Sequence, residues 1–485
     1  MYVEEDGIIL SQWEPLALID APEKYEDRVE ELHVVTADGW KHGILPPSLL
    51  SPRLNSLKRL IIRGMHFGTF ATSSWQWHGL QSLFQGQTLP LRALAIIDAP
   101  FLPSNPAPAL TRLVLFYDMK REMRETWSAR DLLRFLSAIA STLEEAVICG
   151  IPCLGTREPD GPVYLPRVRK LSLRCWSYLN PGSPRVPLPL LPFIVTPQNC
   201  YLRLDANSIA ELWVLADHLH KRQQQWDVPT SNVHCVWASS LYTMSSLQAT
   251  FPGPAPDGGG GVRVDFPVLL NRRAENTFSG ALGALLQTPP FAAAQALWVS
   301  GSGVDDAYEP ELTRSMGRLR GIRALYVATD LLSGSEPSRF IESLAGAAPT
   351  RRTPVPLPPF PVLETLYVTV YDRPGVEKLA EMLRRRAAQG CKLSHLLVGR
   401  AEVGDEDDED DEGEGAAMLV FGGFEELCAA LRGAVGKVTV LSEDGYEKHY
   451  ALRTVLPPIC TRPGGGLIWP PWTENETTFA LMHLT

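Results

Sequence analysis

One short apolar pattern recurs along the chain and limits what it can fold into. An apolar residue is followed by two variable positions, a second apolar residue, one variable position and a third, as in Leu57-x-x-Leu60-x-Ile62. Alternating apolar residues are typical of a short strand with one side toward a core, and the first residue then fills the turn before the strand. Further copies begin at Val29, Leu91, Leu110, Leu143, Val168, Ala294, Ile322, Leu363, Leu393 and Val435, with weaker ones at Asn199 and Val233.

Helical patterns lie between several copies. Ser128, followed three residues later by Asp131, is typical of a helix N-cap with a capping box. A second helix is predicted over 376–388, with Pro374 in its first turn. Three more are indicated by apolar spacing at 340–344, at 424–431 and around Leu285, where Pro289-Pro290 would end the helix. Alternating strands and helices predict an α/β fold with parallel strands and right-handed crossovers.

The number of copies favours a repeat array over an ordinary sheet. Neighbouring copies lie 19 to 42 residues apart, except for the 61 residues from Val233 to Ala294. About a dozen strands exceed what an open twisted sheet holds without curling. A solenoid removes that limit because each repeat contacts only its neighbours. The 485 residues are therefore expected to form one elongated array more readily than three globules.

The pattern resembles a degenerate leucine-rich repeat, in which the usual Asn or Cys after the strand is mostly missing. Segments 133–145 and 165–173 are similar to those of F-box proteins of mushroom-forming fungi, whose C-terminal regions carry such repeats. The resemblance implies a solenoid with a curved parallel sheet and outer helices. It also implies the substrate-recognition region of an F-box-type ubiquitin-ligase receptor, with a ligase adaptor and a cullin as partners. Only residues 45–50 are partly similar to the usual first residues of an F-box, so we expect that module to be absent or truncated.

A stretch rich in proline and glycine divides the array of repeats into two halves. Residues 251–261 run Pro-Gly-Pro-Ala-Pro-Asp after Phe251 and end in four glycines, which is typical of a linker or an insertion. We therefore predict an N-terminal repeat half over 1–250, a C-terminal half over 262–450 and a cap or tail over 451–485. The Pro-rich stretch 348–361 is predicted to be a surface loop, with a polyproline II ligand for an SH3 or WW partner as the alternative.

Residues 405–414 hold nine acidic residues in ten positions and are predicted to be a disordered loop. The alternatives are contact with a basic partner such as a histone, or pairing with Arg384-Arg385-Arg386.

The whole chain has a net charge of −10. Subtracting the nine acids from 55 leaves 46 acidic residues against 45 basic ones, so the remaining chain is nearly neutral. This balance argues against a general nucleic-acid binder.

No motif supports catalysis, a cofactor or a metal. Residues 433–438 lack the phosphate-loop spacing, and neither the Cys149/Cys153 pair nor the His218/His220 pair has a second pair at zinc-ligand spacing. A hydrolase with an unrecognised site stays open as an alternative. Without a secretory signal, a membrane-spanning run or a disulfide pattern, the chain is predicted to be cytoplasmic or nuclear.

Aromatic residues recur at one position of the pattern, between its last two apolar residues. Alternation places them on the sheet face opposite the core, the concave face of a solenoid. This face is the predicted protein-binding surface, formed by Trp237, Trp298, Tyr326 and Tyr367. The alternative is that neighbouring aromatics, or an inserted loop, cover these residues. The predicted function is non-enzymatic protein binding, either as the ligase receptor or as a stand-alone repeat scaffold with no ubiquitin link.

Overall fold

The computed structural model describes residues 29–36, 54–64, 79–97, 99, 101–116, 128–149, 161–174, 188–197, 199–206, 209–221, 231–236, 244–251, 260–267, 275–300, 315–327, 344–346, 358–370, 373–400, 431 and 433–441. These residues form a mixed α/β structure in which most strand pairs are parallel, as predicted. Contacts divide the chain into unit 1, Met1–Asp227 with Gly260–Pro267, and unit 2, Val228–Gly259 with Val268–Thr485. The division between the units thus falls after Asp227, with Gly260–Pro267 belonging to unit 1.

The sheet of unit 1 joins parallel neighbours in the order β1-β2-β4-β6-β7-β9-β11-β14. Two small parallel pairs, β3 with β5 and β8 with β10, lie outside it. The bounds of these strands are β1 Glu31–Thr36, β2 Arg59–Gly64, β3 Leu80–Gln81, β4 Ala93–Ile97, β5 Leu102–Pro103, β6 Arg112–Phe116, β7 Glu145–Cys149, β8 Val163–Tyr164, β9 Lys170–Arg174, β10 Ile194–Val195, β11 Tyr201–Asp205 and β14 Gly260–Pro267.

In unit 2, one antiparallel pair, β12 with β13, precedes a parallel series from β12 through β15, β16, β17 and β18 to β19. The antiparallel pair was not predicted. The bounds are β12 Ser231–Val236, β13 Met244–Phe251, β15 Ala294–Ser300, β16 Ala324–Val327, β17 Thr365–Val370, β18 His395–Arg400 and β19 Lys437–Leu441.

Five helices connect described strands: α1 Ala129–Ile139, α2 Ile209–Lys221, α3 Glu275–Leu286, α4 Pro289–Ala292 and α5 Arg373–Ala388. The predicted start of α1 is confirmed, because Ser128 Oγ accepts a hydrogen bond from the Asp131 amide at 3.2 Å. Helix α5 carries Pro374 in its first turn and buries Leu379, Ala380 and Leu383, as predicted. None of the described helices is long and apolar enough to cross a membrane.

The alternating apolar residues of the pattern form the core. From β2 to β11, all twelve residues at its last two apolar positions are at most 2% exposed, including Leu60, Ile62, Leu202 and Leu204. Backbone amides join the turns in the same way, since the amides of Arg92 and Ala93 both donate to the Lys58 carbonyl and those of Thr111 and Arg112 both donate to the Arg92 carbonyl. The repeated pattern therefore corresponds to repeated packing and hydrogen bonding in these strands.

Two strands depart from the predicted assignment. In β12, Val233 and Cys235 lie opposite Leu297 and Val299, so the copy assigned to Val233–Ala238 was three residues out of phase. Strand β14 begins at Gly260, inside the glycine run assigned to a linker. Its Val262 and Val264 lie opposite Leu202 and Leu204 of β11 and are buried. Glycine composition concealed a strand there, because only two apolar positions of the pattern are filled.

Candidate binding face

Each strand presents a second face, formed by the residues that alternate with the core residues, such as Ile61, Val114 and Tyr326. Opposite residues of parallel neighbours form rows across this face, because the strands pair without a register shift from β2 to β9. A row of side chains is the unit from which a recognition surface on such a sheet would be built. The rows differ in chemistry between the two units.

The second face of unit 1 carries charged residues that pair across strands. Glu31 of β1 lies 3.1 Å from Arg59 of β2. Glu145 of β7 lies between two cations, with its carboxylate 3.7 Å from Arg112 Nε and 2.9 Å from Lys170 Nζ. Lys170 is buried whereas Arg112 is half exposed, so the burial of charge on this face increases from β6 toward β9.

The most buried ion pairs described on this face are formed by residues of β11 and β14. Register places Arg203 opposite Arg263 and Asp205 opposite Asp265, so that like charges face each other directly. A diagonal contact compensates, since Arg203 Nε donates to Asp265 Oδ2 at 2.9 Å and Arg263 Nε donates to Asp265 Oδ1 at 2.7 Å. Asp265, whose side chain is 2% exposed, therefore accepts from two guanidinium groups, and charge-assisted bonds of this kind are the strong ones.

Sequence analysis missed this group of ion pairs, although a signal for it exists. Arg203-Leu204-Asp205 and Arg263-Val264-Asp265 are two copies of the same tripeptide, Arg-apolar-Asp, on adjacent strands. The second copy follows the predicted linker 251–261, and no copy of the apolar pattern was assigned to it. The charges are balanced within the group, which is typical of a structural network and offers no excess of either sign to a ligand.

The second face of unit 2 carries the predicted aromatic row. Trp298, Tyr326 and Tyr367 lie opposite one another on β15, β16 and β17, and the row continues through Leu397 of β18 to Thr439 of β19. The rings of Tyr326 and Tyr367 stack with centroids 6.4 Å apart and planes 27° from parallel. Leu397 completes this cluster, and Ala296, Ala324 and Leu441 pack against it.

Burial supports the alternative weighed for these aromatics. Tyr326 is 8% exposed and Tyr367 3%, so both rings are largely covered and not presented to solvent. Register assigns the position next to Trp298 on β12 to His234 and not to Trp237. Trp237 itself lies outside the described residues, and only the backbone of Trp298 is described. The row is thus a packed cluster from Tyr326 to Leu397, which is 4% exposed, and Thr439 at its β19 end is half-buried.

Polar residues border this cluster. His395 Nε2 and Thr439 Oγ1 are 2.9 Å apart across β18 and β19, and Lys437 lies opposite His395. Burial, together with the positive charge of Lys437, holds the pKa of the His395 imidazole below its usual value. A neutral His395 with a hydroxyl and an exposed ammonium group can bind a partner through hydrogen bonds and one charge.

Unit 2 also contains a buried cation, the guanidinium of Arg386 on α5. The Arg386 side chain of α5 donates hydrogen bonds to the carbonyls of Leu344, Pro359 and Phe360 at 2.7–2.8 Å. Arg386 is fully buried, and desolvation lowers the pKa of its guanidinium. Gln389, one turn further on, donates to the Ala345 carbonyl at 3.1 Å. The end of α5 therefore fastens two chain segments to the core.

This contact changes two expectations. Arg386 cannot pair with residues 405–414 while it is buried, and Arg384 instead forms an exposed pair with Glu381 at 2.7 Å. The acidic run itself lies outside the described residues. Pro358 and Phe360 are buried at the end of the Pro-rich stretch 348–361, so this end is packed and not a free ligand. Residues 348–357 lie outside the described part of the chain.

Within the described residues, no group of three or more His, Cys, Asp or Glu side chains is placed to hold a metal ion. No protein-family model matches the chain, and no curated protein matches it significantly. The proposals that follow therefore depend on the residues themselves and on the resemblance of their pattern.

Proposed function

We propose that the chain is a non-enzymatic protein-binding protein, built as a leucine-rich-repeat-like solenoid with a curved parallel sheet and outer helices. The observation that carries the proposal is the row of Trp298, Tyr326, Tyr367, Leu397 and Thr439, one residue from each of five parallel strands in register. Such rows give a repeat protein an extended surface whose chemistry varies from strand to strand without change of the core.

The partner surface in this proposal is formed by the less buried residues of the second face on β18 and β19, at the end of the row and beside it. Here Lys437 is exposed and His395, Thr439 and Leu441 are half-buried, beside the stacked tyrosines. Half-buried apolar and polar groups around a rigid aromatic cluster are typical of the centre of a protein interface. In this proposal the stacked tyrosines pack beside the partner surface and hold it in place, but they do not contact the partner.

By resemblance, the biological role is recognition of substrates for an F-box-type ubiquitin ligase. Purification of the tagged full chain from cells tests this role. The ligase reading requires recovery of the adaptor and cullin subunits by mass spectrometry. Recovery of other proteins without these subunits would leave the stand-alone scaffold as the function.

A charge reversal tests which surface recognises the substrate. Lys437→Glu alters this partner surface, and we expect roughly tenfold lower recovery of the substrate, because a rim charge on the surface is reversed. Lys378→Glu is the matched control, since Lys378 is also exposed but lies on α5. Adaptor and cullin should be recovered equally with both variants. Equal loss of substrate with Lys378→Glu would contradict the assignment of binding to the sheet.

A further inference from the structure

Within the described residues, the core side of β19 is open, whereas the same side is closed in the four strands from β15 to β18. Val440 is 47% exposed, whereas residues at the same position of the pattern, Val299, Val327, Val368 and Val398, are at most 1% exposed. Val438 is half-buried, while Leu396 beside it on β18 is fully buried. A position that is filled in four successive strands is therefore unfilled in the fifth.

One edge of the β19 backbone is also unpaired among the described strands. Its five residues pair with β18 along one edge, and no described strand pairs with the other edge. An unpaired strand edge exposes a row of amide and carbonyl groups that bind a further strand, and proteins usually cover such an edge. An array of repeats needs a terminal unit that closes its last apolar surface. Two independent features, the valines and the edge, thus indicate one missing neighbour.

The chain that follows β19 contains a further copy of the apolar pattern. Phe479-x-x-Met482-x-Leu484 repeats the apolar pattern of the other strands and begins 44 residues after the copy at Val435. Earlier neighbouring copies are 19 to 61 residues apart, so this spacing lies within the range already used. Alignment of the two copies places Met482 opposite Val438 and Leu484 opposite Val440. Phe479 then corresponds to Val435, which is 1% exposed in the turn before β19.

We propose that residues 479–484 dock as an added parallel strand on the open edge of β19 and extend its core with Met482 and Leu484. The 37 residues from 442 to 478 are more than the dozen or so that a parallel crossover requires. The tether also gives the segment a high effective concentration at the edge, which favours it over a second copy of the chain. A second copy joined by a two-fold axis would pair the two β19 edges antiparallel and would leave the Met482 pattern unused.

Disulfide trapping tests the docking and its register. In-register parallel neighbours bring the Cα atoms to within about 5 Å, a distance that permits a disulfide. We expect Val440→Cys with Leu484→Cys to form an intramolecular cross-link on mild oxidation of the full chain, located by peptide mapping. The matched control is Val362→Cys with Leu484→Cys, because Val362 is 48% exposed and lies before β17. Equal cross-linking of the two pairs, or none with Val440→Cys, would overturn the proposal.

Alternation gives a second test that does not need new cysteines. Met482→Asp places a charge on the buried side and should lower the Tm by roughly 5 °C and speed amide exchange in 437–441. His483→Asp, one residue further on, lies on the other side of the added strand and should change neither. Similar effects of the two substitutions would contradict the docked strand. A dimer of the native chain in light scattering, with cross-links only between chains, would assign the edge to a second copy instead.

Discussion

The two units use the second face of their sheets differently. In unit 1 this face buries charges as ion pairs, most completely where Asp265 accepts from Arg203 and Arg263. In unit 2 the row of Tyr326 is apolar and aromatic, with Tyr326 stacked on Tyr367. The matching row of unit 1 is apolar at Ile61, Ala95 and Val114 and becomes polar at Ser172 and Arg203. The core faces of both units are nevertheless alike, with aliphatic residues that are almost fully buried. The difference shows that the repeat specifies only the core side, and that each unit has its own chemistry on the other side.

The consequence for binding follows from desolvation. A buried ion pair has lost the hydration of both ions, and removal of one partner is far more unfavourable than loss of an exposed pair. The charged face of unit 1 is therefore expected to be rigid and to tolerate few substitutions. The row in unit 2 contains no ion pair among its described residues and gains its stability from packing. The half-buried and exposed residues beside it on β18 and β19, such as His395 and Lys437, can therefore change without loss of the fold.

The largest expected effect belongs to the charged face. Asp265→Ala removes the carboxylate that two guanidinium groups share, and we expect a loss of about 4 kcal/mol in the free energy of unfolding. Urea denaturation followed by circular dichroism measures it. The control is Glu364→Ala, which removes a carboxylate 3.4 Å from Arg323 on the exposed surface and should leave stability almost unchanged. Similar losses for both variants would mean that the face of unit 1 is no more constrained than the protein surface.

Substitution in the aromatic cluster should cause a smaller loss in the free energy of unfolding, through lost packing and not through an unpaired charge. Tyr367→Ala removes a stacked ring that is 3% exposed, and we expect a loss of about 3 kcal/mol from the cavity and the lost ring contact. The same substitution at Tyr164, which is 65% exposed in unit 1, is the control and should have little effect. A tyrosine-to-alanine change at 367 that leaves stability intact and weakens partner capture would show that the ring binds the partner directly.

Strands and their registers were largely predictable because each depends on three apolar residues at constant spacing. Leu57, Leu60 and Ile62 illustrate this, as does the helix start at Ser128. The strands β13 and β14 were not predictable in the same way. Strand β13 pairs antiparallel with β12, and β14 grows out of a glycine run whose composition is that of a linker. Local pattern specifies a strand only where tertiary pairing agrees with it.

The candidate face was less predictable than the fold. Alternation correctly placed Tyr326 and Tyr367 opposite the core, but it cannot say whether a face is covered, and both rings are buried. Arg386 was considered only together with Arg384 and Arg385, as the alternative partner of residues 405–414. Helical spacing alone could have corrected this, because Arg386 lies three and seven residues after Leu383 and Leu379 and so shares their buried side.

Arg386 also gives the smallest of the expected losses and a direct contrast with the ion pairs of unit 1. Its cation is held by three carbonyl oxygens, whereas the buried cations Lys170 and Arg203 of unit 1 are paired with carboxylates. Arg386→Met keeps the apolar stem but leaves those carbonyls without their donor, while it also removes a desolvated charge. These effects partly cancel, and we expect a net loss of about 2 kcal/mol in urea denaturation.

The exposed neighbour on the same helix is the control for this last substitution. Arg384→Met breaks only the exposed pair with Glu381 and should alter stability very little. Amide exchange should increase around residues 344–346 and 358–360 in Arg386→Met alone, because the side chain fastens these two segments to α5. A loss as large as that of Asp265→Ala would place the two units under the same constraint. The contrast between charge held by carboxylates and charge held by backbone would then disappear.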